Sequence, residues 1–153
     1  MAQEFPDAGA LIAHIVTRYH AVHRQEVPEL IRLARLVEGK HADHPEVPRG
    51  LADLLCRVQW EMEAHMQKEE EGLFPMLHPH QGDMGMAMEL MRDEHDDHAA
   101  RLDQMAALTR RHQPPADACG AWRALYAGTA KFAEDLREHI RLENDVLFPG
   151  FGR

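Results

Sequence analysis

The stretch "HMQKEEEGLFP" begins at His65 and "HIRLENDVLFP" begins at His139, so the chain twice places a glutamate four residues after a histidine and then runs into Leu-Phe-Pro. On a helix that spacing puts His65 with Glu69, and His139 with Glu143, one turn apart on the same face. Ahead of each stands an H-x-x-H pattern, His20 with His23 and His95 with His98. His20 to His65 is 45 residues and His95 to His139 is 44. An H-x-x-H helix followed by an H-x-x-x-E helix therefore occurs twice, which is an internal repeat. The fold it predicts is all-α: an antiparallel up-down-up-down four-helix bundle whose halves face each other across a pseudo-twofold axis.

Pro and Gly clusters at "EGKHADHPEVPRG", "FPMLHPHQGDMG" and "RRHQPPADACG" divide the chain into helices near 8–38, 48–74, 84–111 and 117–148, in a single domain over residues 1–153. Pro48 suits a first helical turn, Asp117 a helix start, and each Leu-Phe-Pro a helix end. Pro28 lies inside the first segment and predicts a kink or local break.

Helical periodicity then sorts the faces. The inner stripe of the fourth segment reads Trp122, Leu125, Thr129, Phe132, Leu136, His139, Glu143, Val146; that of the second reads Leu51, Leu55, Val58, Met62, His65, Glu69, Gly72. Spacing thus selects Glu69 from "EEE" and turns Glu70 and Glu71 to solvent. The first stripe is Val16, His20, His23, Val27, Leu30, Ala34, and the third is Met84, Met88, Met91, His95, His98, Leu102, Met105. His14 faces away, while His41, His44, His78, His80 and His112 fall in loops or at helix ends.

An ionised carboxylate in an apolar seam costs several kcal/mol unless it is paired. Two of them at one level also repel, and no Lys or Arg falls on the inner stripes at that level. Metal cations compensate. Four histidines and two glutamates exceed a tetrahedral zinc site and suit a dinuclear pair, each metal with two imidazoles and both carboxylates shared. A solvent-derived bridge would join them, leaving room for a small gas or oxidant. Fe, Mn, Zn and Cu all fit imidazole with carboxylate; iron is favoured because a valence-cycling pair uses carboxylate bridges well. The ligand candidates are His20, His65, Glu69, His95, His139 and Glu143, with His23 and His98 in supporting places beside them. The "MGMAMELM" run has the spacing of adaptable packing rather than of a copper site.

The net charge is −9 with Lys and Arg dispersed, so the phosphate attraction that dominates nucleic-acid affinity is lacking. No apolar run reaches membrane-span length, and no signal peptide precedes "MAQEFPDAGALIAHIV". Cys56 and Cys119 form neither a disulfide framework nor a metal knuckle. The expectation is a cytoplasmic protein that meets neither nucleic acid nor membrane.

"HIVTRYHAVHRQEVPELI", "VEGKH", "HMQKEEEGLFPM", "EHDDH", "ACGAWRALYAG" and "HIRLENDVLFP" together resemble, over nearly the whole chain, the hemerythrin-like diiron domain of the repair-of-iron-centres family. The resemblance implies a non-haem diiron centre with an oxo or hydroxo bridge. His20, His65, His95 and His139 would be terminal ligands, Glu69 and Glu143 bridges, and His41 a further histidine near the site. It also implies a role in the nitric oxide and oxidative stress response, supporting repair of iron–sulfur clusters by iron supply or nitric oxide handling. Nitric oxide or dioxygen would be the small ligands and damaged iron–sulfur proteins the partners. Whether the centre reduces nitric oxide, donates iron, or only binds or senses a gas stays open, and with it whether the chain is an enzyme. The oxygen-carrying hemerythrins are less similar, with five histidines and an aspartate on the fourth helix. Family members often carry a small N-terminal domain with adjacent cysteines, and the expectation here is a bundle without it.

Overall fold

The computed structural model describes residues 5–77 and 82–151, and among these the regular structure is all helix. Helix α1 (8–40) is built of Ala8–His14, a widened π-helical turn Ile15–His20, and Ala21–Lys40. Helix α2 (51–77) joins Leu51–Lys68, a π turn Glu69–Leu73, and Phe74–Leu77. Helix α3 is Gly85–Leu108, and α4 (120–151) joins Gly120–Arg141, a π turn Leu142–Leu147, and Phe148–Phe151. Each helix packs on its neighbour in sequence and α1 closes on α4, which makes the four-helix bundle.

The helix ends follow local chemistry. Asp7 caps α1 by accepting the Ala10 N–H at 2.8 Å. The start of α2 lies at Leu51, beyond Pro48, because Gly50 takes a left-handed conformation with φ 89° and the Glu38 carboxylate accepts from Gly50 N at 2.8 Å and Ala52 N at 2.9 Å. Glu38 thus caps the next helix. Asp117 does not start α4; it pairs with His44, and the helix begins at Gly120 after an extended Cys119. Gly50→Ala is expected to lower stability by about 1–2 kcal/mol, the cost of a Cβ in left-handed backbone, read as a lower denaturant midpoint at unchanged slope.

Neither Pro28 nor the two Leu-Phe-Pro sequences break a helix. Ala21–Lys40 runs through Pro28, held on both sides by buried His23, Val27, Leu30 and Ile31. At Pro75 and Pro149 the preceding π turn has already moved the bonding: Phe74 N–H reaches back five residues to Glu69 O, and Phe148 N–H to Glu143 O. The widened turn eases the clash a proline ring makes with the carbonyl four residues back.

Two apolar clusters flank a polar layer. One, toward the α1–α2 loop, contains Val27, Leu30, Ala34, Leu55, Met62, Leu102, Trp122 and Phe132. The other, toward the opposite end, contains Leu11, Ile15, Leu73, Phe74, Met91, Leu147 and Phe148. The layer between them is buried and polar: His20, His65, Glu69, His95, His139 and Glu143 are each at most 2% exposed.

Candidate metal centre

The three π turns lie at this layer, ending on His20, starting on Glu69 and bracketing Glu143. Widened turns of this kind concentrate at functional sites because they shift side-chain phase without ending the helix. The shift shows in the burial. Past Glu69 the buried residues are Leu73 and Phe74 where simple periodicity expects Gly72, which is exposed; past Glu143 they are Leu147 and Phe148, with Val146 half-buried. In α1, Ile15 and Tyr19 are buried and Val16 only half so. The unwidened α3 keeps the expected phase, with Met84 just before it and Met91, His95, His98, Leu102 and Met105 buried and Met88 half-buried.

The six inner side chains converge as two overlapping groups, His20, Glu69, His139, Glu143 and His65, Glu69, His95, Glu143, each offering ligand atoms within 4.8 Å of one another. Both carboxylates belong to both groups. Glu143 Oε2 lies 2.9 Å from His139 Nε2, and Oε1 lies 2.7 Å from His95 Nε2, so its two oxygens face opposite halves. Glu69 Oε1 lies 3.3 Å from both His20 Nε2 and His65 Nε2. Within each half the imidazole Nε2 atoms approach to 3.2 Å. Both oxygens of Glu69 and Oε1 of Glu143 are buried with no hydrogen-bond partner. Orphaned buried oxygens among inward imidazole nitrogens fit cations, which would satisfy both sets at once.

Electrostatics supports the same conclusion. Burial opposes charge on His20 and His65, yet Glu143 and Glu69 outweigh it and push them up to about 9 and about 11. Glu143, though wholly buried, is held well below the usual carboxylate range by His139, His20 and His65. In the bare chain protons on imidazole neutralise the carboxylates, in the place a cation takes. Burial drives His23 down to about 2 and His98 to about 3, with neighbouring imidazoles adding to it.

Each of the four inner imidazoles, His20, His65, His95 and His139, turns Nε2 inward, and its other edge is held from outside. His20 Nδ1 donates to Glu70 at 2.6 Å, and His95 Nδ1 to Asn144 Oδ1 at 2.8 Å. Glu70 and Asn144 follow Glu69 and Glu143 in sequence, so this pairing obeys the internal repeat. The Leu-Phe-Pro phenylalanines obey it too: Phe74 stacks on His20 at 5.9 Å and Phe148 on His95 at 6.3 Å. The repeat breaks at the remaining pair. His65 Nδ1 donates to Glu94 at 2.8 Å, whereas the matching position in the first half is Tyr19, which stacks on His139 at 5.7 Å. There His23 Nε2 takes over, 3.2 Å from His139 Nδ1. His98 instead sets its edge against His65 at 4.8 Å.

Glu70 corrects an expectation, since it faces His20 and Arg24 rather than solvent; Glu71 is exposed. Glu70, Glu94 and Asn144 escape a reading by inner stripe because they sit beside the seam. The signal available was adjacency in sequence to a His or Glu of the inner stripes. Such outer partners fix the ring and raise its basicity. Glu70→Gln is expected to weaken cation binding by about 10–100-fold, measured by competition with a chelator of known affinity.

His41 is not brought to this layer. It follows α1 at its far end, 21 residues and about 31 Å of helix rise beyond His20. There its Nε2 lies 3.2 Å from Cys119 Sγ and its ring 5.1 Å from Trp122. His14 packs between Phe5 and Tyr19, His44 on Asp117, and His112 on Thr129. His78 and His80 lie outside the described residues.

A helical bundle with two carboxylates shared between two imidazole pairs defines a cation-binding bundle. Residues 11–151 match the family model described as the hemerythrin HHE cation binding domain, and the chain belongs to that family. It is 47% identical over 142 residues to the iron-sulfur cluster repair protein YtfE of Enterobacter sp. (strain 638), and 46% over 142 residues to that of Dickeya chrysanthemi. The protein of that name from Escherichia coli O157:H7 is 44% identical over 140 residues. These matches take in 91–92% of this chain and 64% of each relative, so the chain spans just under two thirds of their length. No helix among the described residues is long and apolar enough to cross a membrane.

Proposed function

We propose that the chain, acting as one hemerythrin-like unit, holds two non-haem iron ions, with Glu69 and Glu143 bridging them and an oxo or hydroxo group between. His20 and His139 would hold one ion, His65 and His95 the other. The observation that carries this reading is the sharing of both buried carboxylates by both imidazole pairs. When bound, such a pair supplies a change of valence and open positions for nitric oxide or dioxygen. The chain's own part is positional. Glu70, Glu94, Asn144 and His23 fix the four rings, while Phe74 and Phe148 cover His20 and His95 on the side of the second apolar cluster.

The function that fits this centre and the names of the relatives is support of iron–sulfur cluster repair under nitric oxide or oxidative stress. Damaged iron–sulfur proteins are the partners, served by supplied iron or by removal of nitric oxide at the centre. The deciding experiment reacts the anaerobically reduced, iron-loaded chain with nitric oxide, following nitrous oxide and iron transferred to a chelator. Iron transfer supports donation and nitrous oxide supports reduction. A stable nitric oxide adduct with neither product replaces both with capture alone.

A further inference from the structure

At the far end of the bundle from the second apolar cluster, the α1–α2 loop meets the start of α4 around a thiol. Cys119 Sγ lies 3.2 Å from His41 Nε2, and both side chains are half-buried. The contact is built into the packing. The His41 ring lies 5.1 Å from that of buried Trp122, and the His44 ring lies 4.8 Å from the same indole. His44 Nε2 also meets Asp117, two residues before Cys119, at 3.0 Å, and the His44 N–H closes on His41 O at 2.9 Å. Two histidines of one loop thus hold two residues of the facing segment.

A thiol and an imidazole at bonding distance are a nucleophile and its base. Cys119 also directly precedes the helix Gly120–Arg141 and makes no cap hydrogen bond with its side chain, so the unpaired N–H groups of the first turn favour negative charge beside the sulfur. There is room for a reaction partner, since a Cβ built on exposed Gly120 would meet nothing within 4 Å. The metal layer has no part in this, because His41 stands about 31 Å of helix rise beyond His20. Cys56 offers the contrast. It is half-buried as well, but its sulfur meets the Arg35 guanidinium at 3.5 Å, a group that cannot take a proton.

We propose that Cys119 and His41 form a thiol-modification site that takes small disulfides. His41 Nε2 accepts the Sγ proton, Sγ attacks one sulfur of the disulfide, and the bond to the second sulfur breaks with its electron pair. The leaving thiolate then takes the proton from His41. A mixed disulfide on Cys119 and one free thiol result, so the incoming disulfide is the only oxidant the step needs. Exchange at sulfur develops no oxyanion and asks only for a nucleophile and one proton relay, which is what the pair supplies.

The test incubates the full chain anaerobically with glutathione disulfide and follows the mixed disulfide at each cysteine by peptide mass spectrometry. At pH 7 an unaided thiol, which ionises at about 8.5, is only a few per cent thiolate, so Cys119 is expected to react about tenfold faster than Cys56. At pH 9.5 thiols ionise unaided, and the two rates should converge. His41→Gln keeps an N–H beside the sulfur but cannot take its proton. It should bring Cys119 at pH 7 down to the rate of Cys56 and leave Cys56 unchanged. Should that variant unfold, seen as a faster reaction at Cys56, the two cysteines of the unaltered chain compared at the two pH values still decide. Equal rates at pH 7, a Cys119 advantage that persists at pH 9.5, or a Cys119 rate untouched by His41→Gln in a folded chain overturns the site.

Discussion

Glutamine in place of Glu143 is expected to empty both halves of the centre together, rather than one. The carboxylate sends Oε2 toward His139 and Oε1 toward His95, so a single residue serves both groups. The amide keeps the shape of the side chain and loses the charge that offsets the cations. The loss of affinity should exceed the roughly 100-fold that removal of an outer partner can cause. Glu69→Gln should behave alike, for Glu69 Oε1 stands between His20 and His65. Glu70→Gln should fall between, and Glu71→Gln, on an exposed side chain, should bind iron like the unaltered chain. Iron per chain after anaerobic reconstitution, with circular dichroism to show that the bundle persists, orders the four variants. Retention of one iron by Glu143→Gln would mean that the carboxylate is not shared, and equal loss at Glu71 would show that iron content reports on folding.

The residues that meet at the layer were legible in the sequence, because H-x-x-x-E and H-x-x-H fix a face over one turn and the interval between the motifs fixes the pairing of helices. What periodicity lost is traceable to the π turns. A constant 100° per residue carries Gly72 and Val146 inward, whereas the turns that begin at Glu69 and Leu142 hold one residue more and bring Leu73 and Leu147 in instead. Where no such turn occurs, in Gly85–Leu108, the periodic reading holds. The same widening hid the role of Glu70, which follows Glu69 yet reaches His20, and let Pro75 and Pro149 sit inside helices. His41 was misplaced for a different reason: a motif match carries no distance, and the 20-residue helical stretch Ala21–Lys40 separates it from His20.

The metal-free chain is expected to be most stable near pH 6.5 and to weaken on both sides, whereas the iron-loaded chain should weaken only in acid. His20 and His65 rise from an unfolded value of 6.5 to about 9 and about 11 in the fold. Their protonated forms therefore stabilise the folded chain fully below pH 6.5, and that contribution disappears as pH climbs through the two folded values. His23 and His98 act oppositely, because burial keeps them neutral and lowers them to about 2 and about 3. Their contribution is present above pH 6.5 and is lost as pH falls below it, and Glu143, held low by its imidazoles, adds to the loss further into acid. With iron on the Nε2 atoms, His20 and His65 no longer need protons, so the alkaline limb vanishes. The acid limb steepens, since protons then compete with iron for every ring. A few kcal/mol at 2–4 °C per kcal/mol gives a fall of about 5–10 °C in the metal-free melting temperature between pH 6.5 and 9.5, against little change in the loaded protein. Melting curves of both forms across that range check it. A metal-free chain that holds or gains stability toward pH 9.5 would mean that the carboxylates are not neutralised by imidazole protons, and the electrostatic case for a cation at this layer would fall with it.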